Sequence, residues 1–116
     1  MGRELTRSEL LFEASDAAAR LRKVSSRGDT HRYTDDEVFR SAVAFLWLRY
    51  AEPLCQLVIR RLVGDAARRA WDGMCDIRNM LAHERNQNID FAALWDELPT
   101  TLNLTEAPLD RLLADS

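Results

Sequence analysis

The sequence predicts an all-α protein, and three observations lead to that prediction. Apolar residues recur at spacings of three and four in several segments, a pattern typical of amphipathic helices. No segment alternates apolar and polar residues for long enough to form a convincing strand. Capping-box patterns, in which a threonine precedes a glutamate by three positions, stand before two of the apolar segments. With 116 residues, the chain suits one domain, residues 1–116, that is built around a single modest core.

The first helix is expected from Thr6 to Val24. Either Thr6 or Ser8 is expected to cap it, and Thr6 and Glu9 have the capping-box spacing. One apolar stripe then runs along the segment and predicts the buried face: Leu10, Leu11, Ala14, Ala18, Leu21 and Val24. The following segment, 25–33, contains Gly28 and Asp29 and is predicted to be a loop.

The second helix is expected to begin near Thr34, which forms another capping-box pattern with Glu37. It is unusually apolar, with Val38, Phe39, Ala42, Val43, Phe45, Leu46, Trp47 and Leu48. Hydrophobicity on all sides predicts a central helix or one that a second subunit covers. Pro53 removes an amide donor and predicts a kink near Glu52, after which the apolar pattern continues to Leu62.

Three shorter helices complete the prediction. Gly64 and Asp65 precede a third helix, expected from Ala66 to about Glu84. A polar loop, 85–88, then leads to Asp90, the expected cap of a fourth helix over 91–98 that Pro99 stops. A last short helix is expected over 107–114. The predicted architecture is therefore an up-and-down bundle of four main helices with a short C-terminal helix.

Composition limits the classes of partner and location. The net charge of −3 provides no overall attraction for nucleic acid, so RNA binding would need a local basic patch. The N-terminus starts no apolar run that would indicate a signal peptide, and the longest apolar stretch, 42–48, is too short to span a membrane. Cys55 and Cys75 lack CxxC spacing and are expected to be reduced core residues. We therefore expect a cytoplasmic protein without membrane association.

Metal and cofactor chemistry have little basis in the sequence. His83 and Glu84 match the start of the zinc motif HExxH, but Gln87 stands where the second histidine is needed. His31 stands in the predicted loop with no second ligand near it in sequence. Neither cysteine has the signature of a nucleophile, and no glycine-rich phosphate loop is present. No metal and no cofactor are expected.

Arg78, Asn79 and His83 form a polar group near the end of the predicted third helix. At about 100° per residue, Asn79 and His83 share one face, whereas Arg78 lies about 140° from His83. Two cationic groups around one polar turn are suited to binding a phosphate and moving a proton. An alternative interpretation is structural: His83 caps the last carbonyls of the helix, and Arg78 forms a surface salt bridge with Asp76 or Glu84.

The chain around this group resembles the HepT-like branch of the HEPN superfamily. The family motif is R-x-x-x-x-H with a polar residue directly after the arginine, and Arg78, Asn79 and His83 match it. The resemblance runs from about Glu52 to Pro99. It includes Trp71, Ala82, Ile89, Asp90, Leu94, Trp95, Asp96 and Leu98.

The resemblance implies a dimeric all-α bundle in which two motifs meet across a cleft. Many members are metal-independent endoribonucleases, and the HepT-like members are type II toxins encoded beside a minimal nucleotidyltransferase (MNT) antitoxin. His83 would move a proton on the RNA, Arg78 would stabilise charge on the phosphate, and Asn79 would orient either group. Glu52 aligns with a glutamate of the family's central helix. It is either a supporting residue in the cleft or an ordinary surface carboxylate.

Two departures from the family pattern bear on function. Arg85 stands where many HepT-like proteins have a tyrosine that accepts AMP from the antitoxin, and neither Tyr33 nor Tyr50 replaces it by position. Arg85 is instead expected to contact RNA. The spacing from Trp95 to Pro99 is also one helical turn shorter than usual. Two other functions stand beside the ribonuclease: a non-catalytic HEPN module that binds a nucleotide or the nucleotidyltransferase, and a dimeric helical interaction domain.

Overall fold

The structure, a computed structural model, describes residues 4–27, 35–83 and 89–115, and every regular element within those ranges is a helix. The helices are α1 (Arg7–Arg27), α2 (Glu37–Ile59), α3 (Asp65–Ala70), α4 (Met74–His83) and α5 (Phe91–Ala114). Helix α2 packs against α1, α4 and α5, while α5 also contacts α1 and α3. The all-α prediction is confirmed.

The capping box at the start of α1 forms as predicted. The amide of Glu9 donates to Oγ1 of Thr6 at 3.2 Å, and the amide of Thr6 donates to Oε1 of Glu9 at 3.1 Å. Two otherwise unpaired amides of the first turn are thereby satisfied. The helix extends three residues beyond Val24, and its buried face consists of Leu10, Leu11, Ala14, Ala17, Ala18 and Leu21.

Helix α2 is the central helix of the fold, and its cap differs from the predicted one. Oδ1 of Asp36 accepts a hydrogen bond from the amide of Phe39 at 3.1 Å, whereas Thr34 lies outside the described residues. The helix continues through Pro53, which is buried. By length and mean hydropathy α2 could cross a membrane, although 44% of its most apolar window is buried inside the fold. A core helix of a globular protein has the same properties.

The predicted third helix is in fact two helices. Helix α3 ends at Ala70 and α4 begins at Met74, and Gly73 between them has a φ of +98°. Only glycine adopts such a backbone conformation without strain, so the chain turns there. Trp71 is buried at the break, and its indole N–H donates to the carbonyl of Thr105 at 2.9 Å.

The predicted fourth helix and the last short helix are one continuous helix, α5. Asp90 caps it as expected, with Oδ1 accepting from the amide of Ala93 at 3.0 Å. Pro99 does not end the helix. The proline is exposed, and the helix continues through it to Ala114. The buried residues keep helical spacing past it: Leu94, Leu98, Leu102, Thr105 and Leu109.

Cys55 and Cys75 form a disulfide between α2 and α4, so the expectation of two reduced cysteines is wrong. Their Cα atoms are 4.8 Å apart, within the range a disulfide requires. The two residues are separated by 20 positions in sequence, but they face each other because α4 packs against α2. The bond fixes the helix that carries Arg78 and His83 to the centre of the fold.

Candidate active site

The packing of α4 against α2 brings Arg78 next to Glu52. Nε of Arg78 lies 3.5 Å from Oε2 of Glu52, and the other carboxylate oxygen accepts from Nε2 of Gln56 at 3.3 Å. Nε of Arg78 is buried and its contact with Glu52 lies outside hydrogen-bond geometry, so the attraction is that of an ion pair. The alternative partner considered from sequence, Asp76, has no ion pair with Arg78 among the described residues. Glu84 lies outside them.

Arg78 has a second contact on the same side of α4. Its Nη2 donates to Sγ of Cys55 at 3.3 Å. The arginine side chain is 24% exposed, so the guanidinium lies at the edge of the core with part of its surface open to water. A cation held between a carboxylate and a sulfur has a restricted orientation, which favours binding of an anion from one direction.

Asn79 and His83 lie on a different face of α4 and are both exposed. Four residues apart on a regular helix, they are separated by about 40° around the axis, whereas Arg78 and His83 are separated by about 140°. Within the described part of the chain, no hydrogen bond or ion pair joins His83 to Arg78 or Asn79. The structure therefore brings Arg78 together with Glu52, but it leaves His83 and Asn79 on the outer surface.

A groove of about 410 Å³ lies between the start of α1 and the second half of α2. Its lining comprises the apolar residues Leu5, Leu10, Leu48 and Pro53 and the polar residues Glu4, Glu13, Arg49, Glu52, Gln56 and Arg60. Glu52 lines this groove and also forms the ion pair with Arg78, and Gln56 lines the groove and donates to Glu52. The groove thus adjoins the candidate site, a proximity that sequence does not reveal because its two halves come from 4–13 and 48–60.

The tyrosines and Arg85 bear on how AMP transfer would work. Arg85 and Tyr33 lie outside the described residues. Tyr50 is fully buried, and its hydroxyl lies 2.6 Å from Oγ1 of Thr105. Burial raises the pKa of Tyr50 far above its ordinary value, with a smaller opposing effect from the Thr105 hydrogen bond. A neutral, enclosed phenol is unsuited to accept a nucleotidyl group.

Across residues 4–27, 35–83 and 89–115, no three His, Cys, Asp or Glu side chains lie close enough together to hold a metal ion.

Comparison with known proteins identifies no relative of this chain. No protein-family model matches the chain, and no curated protein or solved structure shows significant similarity to it.

Proposed function

We propose that the chain is a metal-independent endoribonuclease of the HEPN type, the toxin of a type II toxin–antitoxin pair, with an active site completed across a homodimer. The observation that carries the proposal is the arrangement of the motif on α4. Arg78 is oriented by Glu52 at 3.5 Å, while Asn79 and His83 are exposed on the same helix. Such a helix presents an imidazole to a substrate on one face and holds a charged donor in a fixed orientation on another.

The reaction that suits these groups is transfer of an RNA phosphodiester to its own 2'-hydroxyl. The 2'-oxygen forms a bond to phosphorus, the bond from phosphorus to the 5'-oxygen breaks, and a 2',3'-cyclic phosphate remains. One proton leaves the 2'-hydroxyl and one must reach the departing 5'-oxygen, both of which are transfers that histidine performs. In this mechanism His83 carries a proton, and Arg78 stabilises the negative charge that grows on the phosphate.

A second copy of the chain would bring an arginine and a histidine to the same phosphate, which one chain does not do. Because Arg78 and His83 occupy different faces of α4, a single protomer does not gather them around one phosphate. Two protomers provide two imidazoles, one to act as base and one as acid. The exposed apolar residues on α2, Val38 and Phe45, support self-association because they leave hydrophobic surface open to water.

RNA binding by an acidic chain requires local positive charge, and two segments provide it. Arg61, Arg68 and Arg69 are exposed between the end of α2 and the end of α3, and Arg68 pairs with Asp65 at 3.6 Å. Arg85, outside the described residues, follows His83 by two positions. Substituting Arg85 by alanine should weaken RNA binding and reduce its salt dependence by about one phosphate contact.

The decisive experiment pairs two histidine variants. The chain has 2 histidines, so His31→Ala is the matched control for His83→Ala. We expect induced expression of the wild type and His31→Ala to arrest growth and fragment RNA, and His83→Ala to do neither. Purified protein should cut RNA in EDTA and leave RNA with 2'-deoxyribose at the cleavage site intact. Cleavage that needs added magnesium, or that survives in His83→Ala, would contradict the mechanism.

A non-catalytic HEPN module that binds a nucleotide or the MNT nucleotidyltransferase is the second candidate. The observation in its favour is that Arg78 is already engaged by Glu52 and Cys55, as in a structural ion pair. Under this alternative, neither purified protein nor expressed protein would cleave RNA. The chain would still form a stable complex with a nucleotidyltransferase encoded beside it, and His83→Ala would leave that complex unchanged.

A further inference from the structure

The Cys55–Cys75 disulfide is asymmetric in its surroundings. Cys55 is fully buried, while Cys75 is only half-buried. The guanidinium of Arg78 lies on the buried side, with Nη2 at 3.3 Å from Sγ of Cys55. Cys75 is therefore the more accessible of the two cysteines, and the sulfur of Cys55 has a cation beside it.

We propose that this disulfide is a thiol–disulfide exchange site for a dithiol reductant, which attacks Cys75 while Arg78 stabilises the departing thiolate of Cys55. Disulfides in the cytoplasm, the location expected from the sequence, are mostly transient and serve catalysis or redox sensing. The exchange proposal depends only on the disulfide and its surroundings, whereas its consequence for RNA binding rests on the proposed function.

The reaction transfers two electrons from the reductant to the protein. A thiolate of the reductant forms a bond to Sγ of Cys75, the bond between the two cysteine sulfurs breaks, and the electron pair remains on Cys55. The second thiol of the reductant then loses its proton and attacks the mixed disulfide. Cys75 leaves as a thiolate that takes up a proton, and the reductant becomes a cyclic disulfide.

Arg78 acts at the step in which the cysteine–cysteine bond breaks. Thiol–disulfide exchange is faster when the leaving thiolate is better stabilised, and a neighbouring guanidinium stabilises a thiolate directly. The same guanidinium also faces the carboxylate of Glu52, whose charge opposes this effect at 3.5 Å from Nε. The closer group, the Cys55 sulfur, gains most from the cation because the surrounding protein excludes water.

Opening the disulfide changes the charge around the proposed phosphate site. In the oxidised protein, the anionic partner of Arg78 within the described part of the chain is Glu52. After reduction, the Cys55 thiolate becomes a second anionic partner, and a substrate phosphate must compete with it. The reduced protein should therefore bind RNA more weakly than the oxidised protein.

The first test measures exchange without RNA. Oxidised wild type, Arg78→Gln, Arg78→Lys and Arg111→Gln are mixed with dithiothreitol, quenched by alkylation, and scored for free thiols by mass spectrometry. Arg111→Gln removes an exposed arginine of α5 and is the charge-matched control. We expect Arg78→Gln to be reduced about tenfold more slowly than the control, and Arg78→Lys to recover part of the rate.

Trapping with glutathione, a monothiol, identifies the attacked sulfur. The adduct should be on Cys75, as located by peptide mapping. Equal reduction rates in Arg78→Gln and Arg111→Gln, an adduct on Cys55, or a wild type that forms no disulfide under mild oxidation would overturn the proposal.

The second test measures affinity for an RNA with 2'-deoxyribose at the cleavage site. Reductant should weaken binding by the wild type about tenfold, equivalent to about 1.4 kcal/mol. It should leave the double variant Cys55→Ser/Cys75→Ser unchanged. Equal affinity of the oxidised and reduced wild type would overturn the link to RNA. Absence of cleavage alone would contradict the ribonuclease and not the exchange site, which the kinetic test judges separately.

Discussion

A buried polar contact joins the hydroxyls of Tyr50 and Thr105. The two oxygens are 2.6 Å apart, and the Thr105 hydroxyl lies 2.6 Å from the carbonyl of Thr101, to which it donates. Both side chains are buried, so the Tyr50 phenol keeps its proton well above the pH at which an exposed tyrosine ionises. Tyr50 therefore makes a pH-dependent contribution to the stability of the fold.

Tyr50 should make the protein less stable at alkaline pH. Its pKa is raised in the folded chain, so its contribution is complete below the unfolded pKa of about 10 and decreases as pH rises toward the folded value. Between about pH 10 and about pH 12, the wild type should lose up to about 1.4 kcal/mol of unfolding free energy per pH unit relative to Tyr50→Phe. Urea unfolding of both proteins over this range measures the difference. Parallel profiles would contradict the assignment.

The candidate site residues could be named from the sequence, but their arrangement could not be predicted. Arg78, Asn79 and His83 are identified by their motif, and helical spacing correctly separates Arg78 from the other two. The ion pair with Glu52 depends on α2–α4 packing between residues 26 positions apart, which no local pattern records. The disulfide escaped prediction for the same reason, because spacing in sequence says little about two cysteines on facing helices.

Helix boundaries show which local rules the core overrides. Pro99 is a reasonable stop signal, yet the apolar spacing of Leu94, Leu98 and Leu102 continues through it, and burial of those leucines favours a continuous helix. The reverse occurs at the end of α3. Ala67, Trp71 and Met74 are buried at helical spacing, which conceals the break, and Gly73 is the one signal for it in the sequence.

Gly73→Ala should destabilise the fold through its backbone alone. A Cβ at this position meets no atom within 4 Å, so the cost comes from the φ of +98° and should be about 1–2 kcal/mol. Gly64→Ala is the matched control, because its added Cβ also has open space and its φ is −79°. In Gly64→Ala, the stability lost through a weaker helix cap and the stability gained through a less flexible unfolded chain should nearly cancel. The free energy of unfolding should change by less than about 0.5 kcal/mol. Thermal unfolding compares the stability of the two variants with that of the wild type. Equal losses of stability in both variants would show that strain at Gly73 is not the cause.

The assembled bundle leaves one face of α2 open. Val38 is 80% and Phe45 59% exposed, and exposed Ala42 lies between them at helical spacing. The guanidinium of Arg49 lies 5.9 Å from the centre of the Phe45 ring and borders this face. The apolar excess noted in the sequence is thus only partly buried by the chain's own helices.

We expect this face to be where two copies meet. A stable interface of this kind buries on the order of 1,200–2,000 Å². Light scattering at micromolar concentration should give twice the 13.3 kDa of one chain. Phe45→Glu should halve that mass, whereas Leu104→Glu, at a 66% exposed position on α5, should not. A wild type that scatters as a single chain, or two variants that behave alike, would contradict this location.

The bond between Cys55 and Cys75 also encloses a stretch of chain rich in protease sites. Arg61, Arg68 and Arg69 are exposed inside the loop that the two cysteines close. Trypsin cleavage after any of them opens the backbone without separating the pieces, since sulfur still connects them. Such nicked protein should migrate as one species on a non-reducing gel and as two fragments once reductant is added. Digestion with trypsin would therefore report the covalent link between α2 and α4 as a change in apparent molecular weight on the gel.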